Sequence, residues 1–336
     1  MTITEEPAPV VPPKDAAGRR AWTALRAVPP IWIILVVVIA VLTWRNPVFI
    51  EPDSFVNFLR RSAPLAILAA GQVYVIISGE FDLSVGALVT AVVVIAARLS
   101  DGEAANTWWL ILLLLAGGVL VGLVNGLVTT RLRVPSFIAT LGMLLVLNGA
   151  VFLWSGGAPR GSLADNFRQL GRRGIEGLPG LNILPYALLI LIAVGVGLWL
   201  LLGHSRFGHQ VYAAGGNQRA AALSGVDVRR VRTTAFVISA LCAVVAGILL
   251  GGATGVTAEA GVGYEFQAIA AVVLGGAVLG GGRGSVGAAI AGALTLQALF
   301  SLLNQFGLAQ SLRQVVQGVI IIGAAAYAAR RMRRSG

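Results

Sequence analysis

Glu80 and Asp82 are the residues with the most chemistry to offer. They lie two apart in Gly79-Glu80-Phe81-Asp82-Leu83-Ser84, between the apolar runs 62–79 and 83–98. Carboxylates between apolar runs are costly to desolvate, and they are retained where protons or polar solutes are handled. In an extended stretch, residues two apart point to the same side; on a helix they diverge. One reading is a polar hinge beside a translocation path. Another is a turn in which Asp82 caps the following helix, with Ser84 and Gly86 next in the chain.

Other constellations exclude more than they offer. Gly280-Gly281-Gly282-Arg283-Gly284-Ser285 looks like a phosphate loop, but Lys14 is the only lysine and follows Pro13, so the chain has no Walker A motif. His204 and His209 are five apart, which is not the one-face spacing of a helical metal pair, and they read as loop residues. Cys242 is the only cysteine and reads as a small core residue. No nucleophile set can be assembled. The chain is expected to be neither an enzyme nor a metal or cofactor binder.

The elements that must position these residues span a membrane. The 336 residues are 57% hydrophobic and only 12% charged, and mean hydropathy is +0.85. A soluble domain carries about twice that charge fraction. The fold class is therefore an all-α polytopic membrane protein. Ten apolar segments stand out: 29–44, 62–79, 83–98, 107–129, 134–154, 183–202, 233–253, 265–281, 284–303 and 309–329. Several fall below the ~20 residues that span a hydrocarbon core, as expected of short or broken helices packed against protein. Residues 1–28 read as a disordered tail without a signal peptide, 29–329 as the membrane domain and 330–336 as a basic tail.

An even number of segments puts both ends on one side. With the ends cytoplasmic, sixteen of the 25 basic residues fall inside, which favours that orientation. The net charge of +11 is thus a topology signal, and no basic stripe interleaved with aromatics points to nucleic acid. Gly118, Gly122 and Gly126 form a small-residue stripe for close helix packing in the bilayer, and Gly276, Gly280 and Gly284 repeat its spacing. Segments two to five and seven to ten share a glycine-rich hinge, a striped helix and then an Asn (Asn125, Asn304), a weak internal repeat. The loop 203–232 contains an expected short surface helix, with Asn217 as N-cap and Gly225 as stop. About two turns are not stable alone, so this helix needs something to pack on.

Four ordered blocks resemble the permease subunits of bacterial ABC importers of the ribose/xylose/rhamnose class. They are Gly71 to Gly86, Pro135 to Gly142, Arg206-Phe207-Gly208 through Gly225-Val226-Asp227, and Gly263 to Gly276 ending in Gly281-Gly282-Arg283-Gly284-Ser285. The resemblance covers roughly residues 30–330. It implies a bacterial cytoplasmic-membrane protein that imports a monosaccharide. It also implies a second permease copy, a cytoplasmic ABC ATPase that holds ATP and Mg, and an extracytoplasmic sugar-binding protein. Residues Asn217, Arg219, Ala220, Ala221, Leu223, Ser224, Gly225 and Asp227 then form the ATPase-coupling loop. Arg219 stands where the family usually has Glu, Gln267 where Asp is common, and Glu80 where Gly is frequent. Gln72, Ser78 and Gln267 become candidate path-lining groups beside Glu80, Asp82 and Ser84, since a neutral sugar needs only neutral hydrogen-bonding partners. A nucleoside, autoinducer or branched-chain amino-acid permease, a proton-coupled transporter using Glu80 or Asp82, and a non-transporting scaffold remain as alternatives.

Overall fold

The computed structural model describes residues 29–158 and 160–307, with a few positions between 312 and 323. The two tails and the tenth segment, 309–329, lie wholly or largely outside the described residues, and with that segment goes the last segment of the expected repeat's second half. The described helices are α1 (Pro30–Arg45), α2 (Pro52–Ile77), α3 (Val85–Ser100), α4 (Thr107–Thr130), α5 (Ser136–Ser155) and α6 (Asp165–Arg172). A hairpin of β1 (Gly174–Leu178) and β2 (Leu181–Pro185) follows, then α7 (Tyr186–His204), α8 (Arg206–Gly216), α9 (Gln218–Leu223), α10 (Val228–Thr254), α11 (Tyr264–Leu274) and α12 (Val286–Gln305). Five of these spans are long and apolar enough to cross a membrane, and α1, α3 and α11 are shorter apolar helices.

α10 is the central column. It packs against α2, α3, α4 and α6, and its buried residues run from Val228 to Gly252. Its most extensive contact is with α4, where the glycine stripe lies. A Cβ on Gly122 would come within 2.6 Å of the Val237 Cα, and one on Gly126 within 2.7 Å of the Thr233 Cα. Two backbones thus meet without side chains between them, the way helices gain dispersion contacts where lipid supplies no hydrophobic drive. Toward lipid the bundle shows Leu112, Leu120, Val146 and Leu153, all exposed. α5 is peripheral, and it buries chiefly Ser136, Thr140, Val151 and Ser155.

Several segment boundaries differ from the apolar runs. α2 begins at Pro52, not at 62, because the polar stretch through Arg60 and Arg61 is still helical and Pro52 starts the first turn. The loop 155–181 folds into α6 and most of a small antiparallel hairpin, with Gly174 opposite Pro185. This is the one departure from all-α among the described residues. Asp53 of α2 anchors the hairpin by accepting from the Asn182 backbone N–H at 3.0 Å and from its side-chain amide. The loop 203–232 is mostly helical: His204 ends α7 and His209 lies within α8.

The expected stripe of Gly276, Gly280 and Gly284 is not helical. α11 stops at Leu274, and Gly276 and Gly284 have φ of 86° and 154°. Their four-residue spacing lies in a loop, so it makes no helix face. α3 is short for a related reason. At about 1.5 Å per residue its 16 residues span about 24 Å, and it is preceded by the non-helical turn 78–84, of which Ser78, Asp82, Leu83 and Ser84 are buried in the bundle.

Candidate functional site

The turn 78–84 is held from four helices. Asp82 is 1% exposed. Its Oδ1 accepts from the Ser84 backbone N–H at 3.0 Å and from Ser84 Oγ at 2.6 Å, and its Oδ2 accepts from Ser239 Oγ of α10 at 2.9 Å. Gln72 of α2 donates to the Asp82 carbonyl at 3.1 Å and accepts from Ser239 at 3.3 Å. Asn125 of α4 donates to Ser84 Oγ at 2.9 Å. From α5, Ser136 Oγ accepts from the Phe81 N–H and Thr140 Oγ1 from the Leu83 N–H, both at 3.1 Å. Non-helical backbone at membrane depth must find such partners inside the protein. Here the Pro135–Gly142 stretch supplies the partners for the Gly71–Gly86 stretch.

Glu80 faces elsewhere. It pairs with Arg232, at the start of α10, at 2.8 Å, and Arg232 Nε also donates to the Ser78 carbonyl at 3.2 Å. The two carboxylates therefore diverge: one looks inward and one toward α10's first turn. Asp82 makes an Asx turn two residues on, and Ser84 occupies the N-cap position of α3 without a side-chain cap, so Asp82 is two positions outside the capping role. Ser78 is fully buried and donates to the Val75 carbonyl. Gln267 lies on α11, half-buried, near Gly263 and outside the Asp82 network.

A second junction joins this hinge to the surface. The Gly282 N–H donates to the Ile77 carbonyl at 2.8 Å. A Cβ on Gly215, at the end of α8, would overlap that same carbonyl oxygen, and one on Gly281 would meet Gly215 O at 2.8 Å and Gly79 Cα at 3.0 Å. Three chain segments thus meet backbone to backbone. Tyr212 of α8 donates to the Gly284 carbonyl at 2.8 Å, and Phe207 of α8 stacks on Tyr74 of α2.

α9 follows this junction directly. Asn217 Oδ1 accepts from the Ala220 N–H at 3.0 Å, which makes it the N-cap. At the other end, Val226 N donates to Ala221 O and Gly225 N to Ala222 O, while Gly225 has φ of 84°. This is a Schellman closure, which needs a residue that tolerates the left-handed region. Asp227 then caps α10 by accepting from the Arg230 N–H at 3.1 Å. Between the caps, Ala221 is buried against the bundle, Arg219 and Ala220 are exposed, and Leu223 is 85% exposed. The six-residue helix is thus capped at both ends and presents Leu223 uncovered by the described residues. Beside it, Gln218, Arg133, Arg229 and Arg232 border a groove of about 420 Å³.

Ser239, Ser136, Thr140, Arg232 and Gly215 escaped the sequence reading of the site. The spacing of Ser136 and Thr140, four apart after Pro135, was a visible signal. Arg232 was counted only as a topology charge. Ser239 is a single serine in an apolar run and carries no local signal. Among the described residues no cluster of His, Cys, Asp and Glu could hold a metal.

Residues 54–325 match the family described as branched-chain amino acid transport system / permease component. The chain is 35% identical over 292 residues to the ribose import permease protein RbsC of Escherichia coli K12, covering 86% of this chain and 90% of that protein. It is 36% identical to RbsC of Bacillus subtilis 168, over 86% of this chain and 88% of that one. It is also 36% identical to the autoinducer 2 import system permease protein LsrC of Klebsiella pneumoniae, over 86% and 82%. No solved structure matches.

Proposed function

This chain belongs to the family of branched-chain transport-system permease components, and from that premise we propose that it is the membrane-spanning subunit of an ATP-driven importer of a monosaccharide. Similarity to ribose import permeases along most of both chains supports the solute class. The observation that carries the mechanism is α9, capped at both ends, with Leu223 bare. In this reading Leu223, Arg219 and the neighbouring arginines meet a cytoplasmic ABC ATPase, which holds the ATP and Mg. The chain has no phosphate loop of its own.

The geometry supplies a transmission path. A push on α9 is delivered to α8 through Asn217, and α8 ends on the Ile77–Gly282 contact. It is delivered to α10 through its N-cap Asp227, and Arg232, five residues further along α10, holds Glu80 and Ser78. Both routes end at the α2–α3 hinge. Closing two ATPase units would move two such hinges together and alternate access between the membrane faces. The partners are therefore an ATPase, an extracytoplasmic binding protein and a second permease copy, with α9 and both termini on the cytoplasmic side of the inner membrane.

Similarity to LsrC favours one second reading, autoinducer import by the same mechanism. A proton relay has less support, since Glu80 is paired with Arg232 and Asp82 is hydrogen-bonded on both oxygens. Uptake of labelled ribose into proteoliposomes holding permease, ATPase and binding protein tests the proposal. Uptake should require ATP and survive a protonophore. Uptake without ATPase that collapses with the proton gradient would overturn it.

A further inference from the structure

A polar cavity of about 630 Å³ opens between α2 and α12, and it takes in none of the residues expected to line a path. It lies at the bundle end opposite α9. α2 starts beside the hairpin, at the Asp53–Asn182 contact, and Arg60 Nη1 donates to the carbonyl of Arg172 at the end of α6. α12 starts next to Tyr212 and ends in the cavity wall at Gln305. Two polar stripes face each other across it. On α2 they are Ser54, Asn57 and Arg61, three and four apart; on α12 they are Gln297, Ser301 and Asn304, four and three apart. Such spacing puts each set on one helical face. Asn57 and Asn304 are exposed at the cavity mouth and Gln297 and Ser301 are partly buried further in, so polar groups are open to a solute that enters from this end.

We propose that this cavity is the chain's own recognition site for a neutral, hydroxyl-rich solute, on the side where solute arrives. The proposal rests on the importer reading above and adds a place to it. Each amide of Asn57, Gln297 and Asn304 offers both donor and acceptor, and so does each sugar hydroxyl. Phe58 and Phe300 supply apolar wall for a ring face. No carboxylate among the described residues lines the cavity, while Arg60 and Arg61 do. That set has no counter-charge for the ammonium group of an amino acid, which separates a sugar from the branched-chain amino acids of the family's description.

The test is ribose transport by the reconstituted full complex, with Gln297→Leu and Asn304→Leu beside the natural chain. Either variant should lose about tenfold in uptake at low ribose, the equivalent of one hydrogen-bonded pair, with ATP hydrolysis within about twofold of normal on the same fold-change scale. Asn304→Cys in a Cys242→Ala background covers the case in which leucine disturbs folding. A water-soluble thiol reagent should modify Cys at this position and block uptake, and ribose should slow the modification. Normal uptake in both leucine variants, or modification indifferent to ribose, overturns the site. Slowing by leucine and not by ribose overturns the solute class. Absence of ribose uptake by the natural chain under ATP contradicts the importer reading itself, a result distinct from either of the others.

Discussion

Truncating Leu223 to alanine separates folding from docking. Leu223 is 85% exposed in the isolated chain, so the substitution removes no intramolecular packing and should change stability by less than about 0.5 kcal/mol. If Leu223 seats in an ATPase pocket, full burial of a leucine there is worth about 1.5–3 kcal/mol. Alanine retains only part of that area, which leaves a loss of about 2 kcal/mol, or roughly 30-fold in the dissociation constant. The assay is binding of the purified ATPase subunit to nanodisc-held permease, with thermal unfolding of the permease alone as control. Unchanged ATPase affinity, or a large drop in the permease's own unfolding temperature, would refute the reasoning that this leucine is held for a partner.

Three other perturbations probe the path behind α9. Replacing Gly122 by leucine forces a side chain onto the Val237 backbone; the α4–α10 contact should separate, and the detergent-solubilised chain should aggregate or lose several degrees of unfolding temperature in a fluorescence melt. Asp82→Ala leaves the buried Ser84 N–H and the Ser84 and Ser239 hydroxyls without their acceptor, at a cost of about 2–4 kcal/mol; Asp82→Asn keeps an acceptor and should be milder in the same melt. Glu80→Gln removes the charge partner of the half-buried Arg232 and should lower transport per ATP hydrolysed while leaving ATPase binding intact; uptake and hydrolysis measured together on one preparation check it.

Much of the fold was legible because membrane spans write themselves in hydropathy. α1, α4, α5, α7 and α10 follow apolar runs that nothing else explains. Boundaries were misread where polarity and helicity part company. Arg60 and Arg61 end an apolar run but not a helix, so α2 was cut short. Gly275 and Gly276 sit inside an apolar run yet end α11, because hydropathy does not register backbone conformation. The spacing of Gly276, Gly280 and Gly284 matched a helix stripe, whereas all three lie in a loop, Gly276 and Gly284 with positive φ. By contrast, α9 was legible to its ends, since Asn217 and Gly225 act locally and their chemistry needs no tertiary partner.

The site was half legible for the same reason. Asp82 and Ser84 were visible as polar residues between apolar runs, but Ser239 and Asn125 reach them only through the packing of α10 and α4 around the turn. The 80/82 spacing suggested a shared side, yet the two side chains part, Glu80 to Arg232 and Asp82 to Ser239. The cavity between α2 and α12 depends on two stripes 236 or more positions apart in the chain, and neither stripe alone has a marker beyond a few amides.

Capture of the ATPase subunit from mild detergent, by the natural chain and by its Gly225→Pro variant, tests the central claim most directly. Proline cannot adopt the φ of 84° and has no N–H to donate to Ala222, so α9 loses its closure while the membrane bundle stays intact. The account expects the natural chain to retain the ATPase and the variant to lose it, with uptake lost in parallel. Equal capture by both, or uptake by either without any ATPase, would contradict it.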